Sequence, residues 1–293
     1  MNEKIALLTI DTESWLISSK DLFKSTKNLK DIPIPESLLK NTYWFLRLFN
    51  DLSIKATFFI LGCVAEKYPS LLKDILKHNH ELGNHGYFHN FLYEYTEEEI
   101  NENIFLGHEI IQRITGVTPK SFRAPYFSIS EHNLPIIFSF LKNLGYTVDS
   151  SIFPIKTPLY GINNFDSTPK IIDGILVIPI SIFSFYFFNF SLSLPISGGG
   201  YYRITPELLM MQLVKKYIKH NNTILLYFHP YEIDPNDIEI RNDNLSLKEK
   251  LIYIQQRVGR GRMKQKIKNI LNLLKNWGFL FMSLQEFYEY KNH

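Results

Sequence analysis

KIALLTIDTES, Lys4 to Ser14, is an apolar run of strand length that stops on two acids set two positions apart, Asp11 and Glu13. Side chains alternate between the two faces of a strand, so positions 11 and 13 share a face and bring both carboxylates to its C-terminal end. The same plan repeats along the chain. SLLKNTYWFLRLFNDLS has a helical pattern and is followed by the strand-like KATFFILG; SLLKDILKHN is followed by HELGNH. EEEINENIFLGHEIIQRITG, with Thr96 as its N-cap, leads to SFRAPY, and LPIIFSFLKNLG, stopped by Gly145, leads to TVDSSIF. TPELLMMQLVKKYIKHN then precedes TILLYFHP, and QKIKNILNLLKNWG precedes FLFMSL. Strands alternating with helices predict an α/β fold, a parallel sheet wrapped by helices. No repeat, low-complexity tract or linker interrupts the series, so residues 1–293 are expected to form a single domain.

Composition agrees with a folded α/β chain. Of 293 residues, 45% are hydrophobic and 15% aromatic, enough for a large core and incompatible with disorder. A formal charge of +3 is too small to indicate a nucleic-acid partner. Cys63 is the only cysteine, so no disulfide forms within the chain, and the N-terminus has no apolar run of signal-peptide length before Asp11. Cytoplasmic location is the expectation. The stretch from Gly174 to Tyr202 carries no acidic or basic side chain and has membrane-spanning length, but Pro179, Pro195 and the serines before Pro195 favour buried strands joined by an apolar loop over a spanning helix.

In such a fold the strand C-termini gather on one rim, where barrel enzymes carry their chemistry. Several of these ends deliver a polar group: Asp11 and Glu13, His85, Arg123, Asp149 and His229. His85 and His89 stand four apart in NHGYFHN, a spacing that puts two imidazoles on one face of a helical turn. The pair alone is a weak signal. With one carboxylate from IDTES it becomes a two-histidine, one-carboxylate set that leaves a position open for water or substrate, which points to hydrolysis. One of Asp11 and Glu13 would ligate the metal while the other takes a proton from water. Arg123, fixed beside Pro125 in FRAPY, would keep the base ionised, and His229 after the apolar LLYF would act as general acid. Asp149 either orients a site group such as His229 or forms a turn. Gly198, Gly199 and Gly200 suggest a tight loop on the substrate side.

The ordered run ATFFILGCVAEKYP…HELGNHGYFHN, FRAPYFSI, DSSIFP…YG, GGGYYRITP and LYFHPYEID resembles the polysaccharide deacetylases of carbohydrate esterase family 4, from Thr9 to about Glu286. Within that family it is most similar to the branch associated with exosortase and exopolysaccharide loci. The resemblance implies a distorted barrel of about seven β/α units, a divalent metal, zinc foremost, and removal of acetyl groups from an N-acetylated glycan or lipid-linked sugar. It further implies Asp11 as base, Glu13, His85 and His89 as metal ligands, and Arg123 as the partner that tunes Asp11. The backbone N–H of Tyr126 would bind the oxyanion, His229 would protonate the leaving amine, and Gly199 and Gly200 would face substrate. The widespread family pattern has two adjacent Asp residues where this chain has Asp11-Thr12-Glu13, which puts Glu13's reach to the metal in question. A small non-sugar amide as substrate and a catalytically inactive glycan-binding module are the rival readings. Two further surfaces are expected to matter. Phe183, Phe185, Tyr186, Phe187, Phe188 and Phe190 crowd into eight positions and suggest a peripheral contact with the inner membrane face, the alternatives being rings that cap the barrel or form an oligomer contact. Arg257, Arg260, Arg262, Lys264, Lys266 and Lys268 form either a solvated helix face or an anion-contacting cluster.

Overall fold

The computed structural model describes residues 3–23, 33–187, 190–237 and 245–292. In chain order its elements are β1 (Ile5–Thr12), α1 (Trp15–Ser19), α2 (Glu36–Leu52), β2 (Thr57–Ile60), α3 (Gly62–Lys67), α4 (Pro69–Lys77) and β3 (Glu81–Asn84). There follow α5 (Glu97–Thr115), β4 (Ser121–Phe122), α6 (Leu134–Asn143), β5 (Val148–Asp149), β6 (Lys170–Ile172), β7 (Ile175–Val177), β8 (Ile182–Phe187) and β9 (Phe190–Pro195). The chain continues with α7 (Gly199–Ile204), α8 (Glu207–Ile218), β10 (Thr223–Phe228), α9 (Leu247–Arg257), α10 (Arg260–Asn276), β11 (Leu280–Met282) and α11 (Leu284–Asn292).

The main sheet runs β10-β1-β2-β3-β4-β5-β7-β6, parallel except for the closing β6–β7 hairpin. β1 is its hinge: β10 pairs along one edge, while β2 and β11 share the other, at Thr9–Thr12 and Ile5–Leu7 respectively. The sheet curls into a half-barrel flanked by helices, as the alternating sequence predicts. Strand parity sorts the core. Ala6, Leu8 and Ile10 of β1 join Phe58, Ile60, Leu226 and Phe228 against the outer helices. Ile5 and Leu7 point the other way, to an interior filled by Phe59, Leu225, Tyr227 and, from α11, Leu284 and Phe287. Burying one such large apolar side chain contributes about 2 kcal/mol, so the two faces of β1 anchor both layers.

Local signals explain the helix boundaries. Thr96 and Glu99 form a reciprocal capping box at the start of α5, which ends at Gly116 with φ 74°, a conformation that glycine adopts without strain. Pro69 opens α4 at a position where its missing N–H costs nothing.

The uncharged stretch after Gly174 forms β7 and then the antiparallel β8–β9 hairpin, and no helix among the described residues is long and apolar enough to cross a membrane. Phe183 and Phe185 are partly buried against the main core; Phe188 lies outside the described residues, as do the side chains of Tyr186, Phe187 and Phe190. The basic cluster is not one surface. Arg260 is fully buried and donates to the carbonyls of Gln256 and Asp237, and the buried Lys266 ammonium donates to those of Tyr202, Arg203 and Thr205. Unmatched carbonyls near helix ends attract such cations, which is why two of the six turned inward.

His80 sits at the start of β3 with its ring edge-on to Phe49 and tilted against Phe58, and neither ring nitrogen has a hydrogen-bond partner among the described residues. Burial, helped by nearby His78 and Lys55, pushes it down to about 4. An unfolded histidine titrates near 6.5, so the unfolded chain binds the extra proton first as pH falls. Stability from this site is full above pH 6.5 and lost between 6.5 and 4. Urea unfolding of His80→Leu at pH 7.5 and pH 5 should show a pH-dependent loss smaller than wild type's by on the order of 2 kcal/mol; equal losses in the two proteins would refute the assignment.

Candidate active site

The inner face of β1 turns polar where the apolar filling ends. Thr9 and Asp11 point inward, and a tight turn in which Glu13 N–H donates to the Asp11 carbonyl, 3.0 Å, brings Glu13 to the same side. All three are buried. Arg123, fully buried just past β4, fills the space beneath them. Its Nη1 donates to Asp11 Oδ1 at 2.6 Å and Thr9 Oγ1 at 2.8 Å, its Nε to Ser150 O and its Nη2 to Ser150 Oγ, both at 2.9 Å. The guanidinium also lies 4.4 Å from the Phe59 ring centre. Burial alone would raise the Asp11 carboxyl, but Arg123, with the His229 imidazolium behind it, overrides it and leaves Asp11 below its ordinary range.

His85 and His89 do converge, though not on a helix. β3 ends at Asn84 and residues 85–91 run as an irregular loop, with Gly86 at φ 77°. The pairing follows from a loop folded against α5: Asn103 accepts the N–H groups of Tyr87 and Phe88 at 2.9 and 2.8 Å. The Arg123 carbonyl lies 2.7 Å from His85 Nδ1. A carbonyl only accepts, so Nδ1 carries the hydrogen and Nε2 presents a lone pair. Burial holds His85 down to about 4 despite Asp11 and Glu13, which keeps it neutral.

Glu13 Oε2 stands 2.7 Å from His89 Nε2 and 3.8 Å from His85 Nε2. Ligand atoms of Glu13, His85 and His89 all lie within 4.8 Å of one another, and His89 Nδ1 is buried without a hydrogen-bond partner among the described residues. Convergent, desolvated oxygen and imidazole donors fit a divalent cation, and three protein ligands leave a position open.

His229, at the end of β10, faces this set across the cavity, its Nε2 3.7 Å from both Asp11 Oδ2 and Glu13 Oε1. Glu232, which the sequence reading did not single out, is its partner: Oε2 accepts from His229 N and Nδ1, each at 3.1 Å. The i, i+3 spacing in HPYE was the available signal, since it is that of a capping box. Burial disfavours the imidazolium, yet Glu232, with Glu13 and Asp11 behind it, lifts His229 to about 9. Arg203 of α7, also missed, is buried with its Nε 3.6 Å from Glu232 Oε1.

The remaining expected residues divide. Tyr126 lines the cavity with its backbone at φ 56°, followed by Phe127 at φ 52°, two consecutive left-handed residues at the edge of the site. Stacking on Phe91 at 4.0 Å and edge contact with His89 at 4.1 Å hold the Tyr126 ring. Asp149 does not orient His229. It accepts from Ser151 N and Oγ, and Ser151 Oγ in turn accepts from Ala124 N, so Asp149 braces the backbone that carries Arg123. Gly199 and Gly200 do line the cavity. The demand for glycine comes from inside, however: a Cβ on Gly198 would stand 1.7 Å from the Tyr227 carbonyl oxygen and one on Gly199 2.5 Å from the Tyr227 hydroxyl.

Residues 31–148 match a family model described as polysaccharide deacetylase, and residues 150–288 match one described as a domain of unknown function, DUF3473. Over the first of these segments the chain is similar to the polysaccharide deacetylases. It is similar to a peptidoglycan-N-acetylglucosamine deacetylase of Bacillus cereus, 43% identical over 82 residues that make up 28% of this chain and 30% of that protein. It is also similar to chitin deacetylase 1 of Saccharomyces cerevisiae, 32% identical over 128 residues, 43% of this chain and 38% of that one. The chain thus spans about a third of the length of these curated relatives. In fold it resembles a crystal structure titled as a putative polysaccharide deacetylase from Mycobacterium smegmatis, with a TM-score of 0.59 at 17% identity over 99% of this chain and 91% of that one. A family 4 pseudoenzyme from Bacillus anthracis shares the fold at 0.55 and 13% identity, over 98% of this chain and 66% of that one.

The site draws on both matched segments and on the residues that precede them. The matched deacetylase segment supplies His85, His89, Arg123 and Tyr126, the second segment supplies Arg203, His229 and Glu232, and Asp11 and Glu13 precede both. One sheet joins them, because β5 pairs with β4 on one side and β7 on the other. In Glu232→Gln the imidazole loses its nearest anion while keeping a hydrogen-bond acceptor. His229 in the metal-free protein should then titrate at least about one unit lower by imidazole NMR. An unmoved titration would remove Glu232 from its role.

Proposed function

We propose that the chain is a metal-dependent hydrolase that removes N-acetyl groups from a sugar of a polysaccharide or lipid-linked glycan precursor. The observation that carries this reading is the opposition, within one cavity, of a carboxylate held ionised and an imidazole held protonated across a Glu-His-His donor set. At neutral pH Asp11 can accept a proton and His229 can give one, so the two groups are already divided into base and acid. Glu13, His85 and His89 would hold the cation, and imidazole-rich donors suit zinc. When bound, such an ion supplies Lewis acidity toward a carbonyl oxygen and toward water.

The protein groups then have separate tasks. Asp11, fixed by Arg123, takes the proton of the attacking water. The Tyr126 N–H, set by its left-handed backbone, donates to the developing oxyanion. His229, steadied by Glu232, passes a proton to the departing nitrogen, so that acetate and a free amine leave. A cavity of about 450 Å³ walled by Tyr160, Tyr201, Tyr227 and Tyr231 offers aromatic faces for a sugar ring. Relatives named for peptidoglycan N-acetylglucosamine and for chitin direct the choice to an N-acetylated amino sugar. A precursor of exported polysaccharide, handled in the cytoplasm, is the setting we assign, in keeping with the branch that the sequence resembles.

Acetate release from N-acetylglucosamine oligomers by the zinc-loaded protein tests the activity; no release from glycans, alongside turnover of small amides, would move the assignment to the latter. His85→Ala and His89→Ala should each lose bound zinc, measured by elemental analysis after dialysis, because one of three ligands is gone. Wild-type stoichiometry in both would refute the donor set. Asp11→Asn should keep its zinc and lose on the order of 100-fold or more in turnover. It should also unfold at lower denaturant, since Arg123 is left as a buried charge without its carboxylate. Parental turnover in this variant would exclude Asp11 as the base.

A further inference from the structure

α9 carries a surface that the site chemistry does not use. On a helical projection Leu247, Leu251, Ile254 and Val258, the residue that caps it, fall within one narrow stripe. They are 82%, 68%, 56% and 49% exposed, although the opposite side of the helix is well packed. There Tyr253 is buried edge-on to Trp15 at 6.0 Å, and Ile252 packs beside it. Exposed cations flank the stripe on both sides, Lys248 on one and Lys250 and Arg257 on the other. The helix's one acid, Glu249, is turned into the cap, where Ser246 N and Oγ donate to it at 2.9 and 2.6 Å. An apolar stripe between basic flanks with no exposed acid is the pattern of a helix lying in a membrane interface.

Position ties this surface to the cavity. Ile252, Gln255 and Gln256 of α9 line the cavity wall, next to Ile204 and Tyr201 of α7, which are themselves exposed at its opening. The helix is held there rigidly: Arg203 Nη1 donates to the carbonyls of Gln255 and Val258, at 2.9 and 2.5 Å. We infer that the Leu247–Val258 stripe docks the protein on an anionic lipid surface, with the mouth of the cavity set beside the headgroups. A second copy of the chain suits the stripe less well, because the flanking lysines and arginine of two facing helices would repel. This docking deepens the proposed action on a lipid-linked glycan, but it is measured without substrate, so it stands or falls separately from the deacetylase reading.

The test is co-sedimentation of the full chain with vesicles of phosphatidylcholine containing 30% phosphatidylglycerol, and with pure phosphatidylcholine. Wild type should pellet with the anionic vesicles at low salt and bind the neutral ones at least about tenfold more weakly. Leu251→Asp/Ile254→Asp, whose side chains face solvent and so should leave the fold and its circular dichroism intact, should lose binding at least tenfold. Lys248→Glu/Lys250→Glu/Arg257→Glu should lose the anionic preference. Wild type remaining in the supernatant, or the Leu251/Ile254 variant binding as tightly as wild type, overturns the inference. A dimer in sedimentation equilibrium that the same variant dissolves, without vesicle binding, assigns the stripe to self-association instead.

Discussion

The pairing of Arg123 with Asp11 inside the half-barrel is the constraint on which the rest of the site depends. A guanidinium with no exposure needs partners, and here hydrogen bonds to Thr9, Asp11 and Ser150 satisfy four of its five N–H groups while Phe59 offers a ring face. Those partners come from β1, β2 and the segment after β5. Any slip of one strand against the others would leave the charge unpaired, at a cost of several kcal/mol, so the ion pair locks strand register as well as holding the carboxylate.

The backbone of the same residue organises the other half of the site. Arg123 N–H donates to the Asn84 carbonyl, and the Arg123 carbonyl accepts from His85. One residue therefore sets the charge on Asp11 through its side chain and the tautomer of His85 through its main chain. Asp149 reinforces this from behind by holding Ser151 against Ala124 N–H. Burial pushes the Asp149 carboxyl up to about 6, which suits a brace that need not be strongly charged.

Much of this was legible in the sequence because strand parity is a strict rule. Asp11, His85, Arg123 and His229 could be placed on one rim from the ends of apolar runs alone. The His85–His89 spacing was misread as helical because a four-residue interval suits an α-turn, whereas the loop owes its shape to Asn103, sixteen positions or so away, which no local pattern reveals. Arg203 was invisible for a related reason, and Glu232 showed only the spacing of a capping box. A buried acid and a buried base look like surface residues until the fold shows that each neutralises the other's surroundings. α9 was overlooked although its 3.6-residue period is plain, because its apolar stripe faces outward and so contributed nothing to the search for a core.

The spacing of the two acids has a physical explanation that the fold supplies. Adjacent side chains on a strand point to opposite faces, so two neighbouring acids can both reach an inner site only where the strand has already ended. Here β1 continues through Thr12, whose hydroxyl is buried without a hydrogen-bond partner among the described residues, and the second acid falls at position 13, back on the inner face. The turn at Glu13 draws its Cα toward Asp11, and the extra methylene of Glu over Asp restores the reach to His89. The Asp-Thr-Glu sequence is thus the parity-consistent way for a first strand that runs through Thr12 to deliver one carboxylate to Arg123 and another to the two histidines.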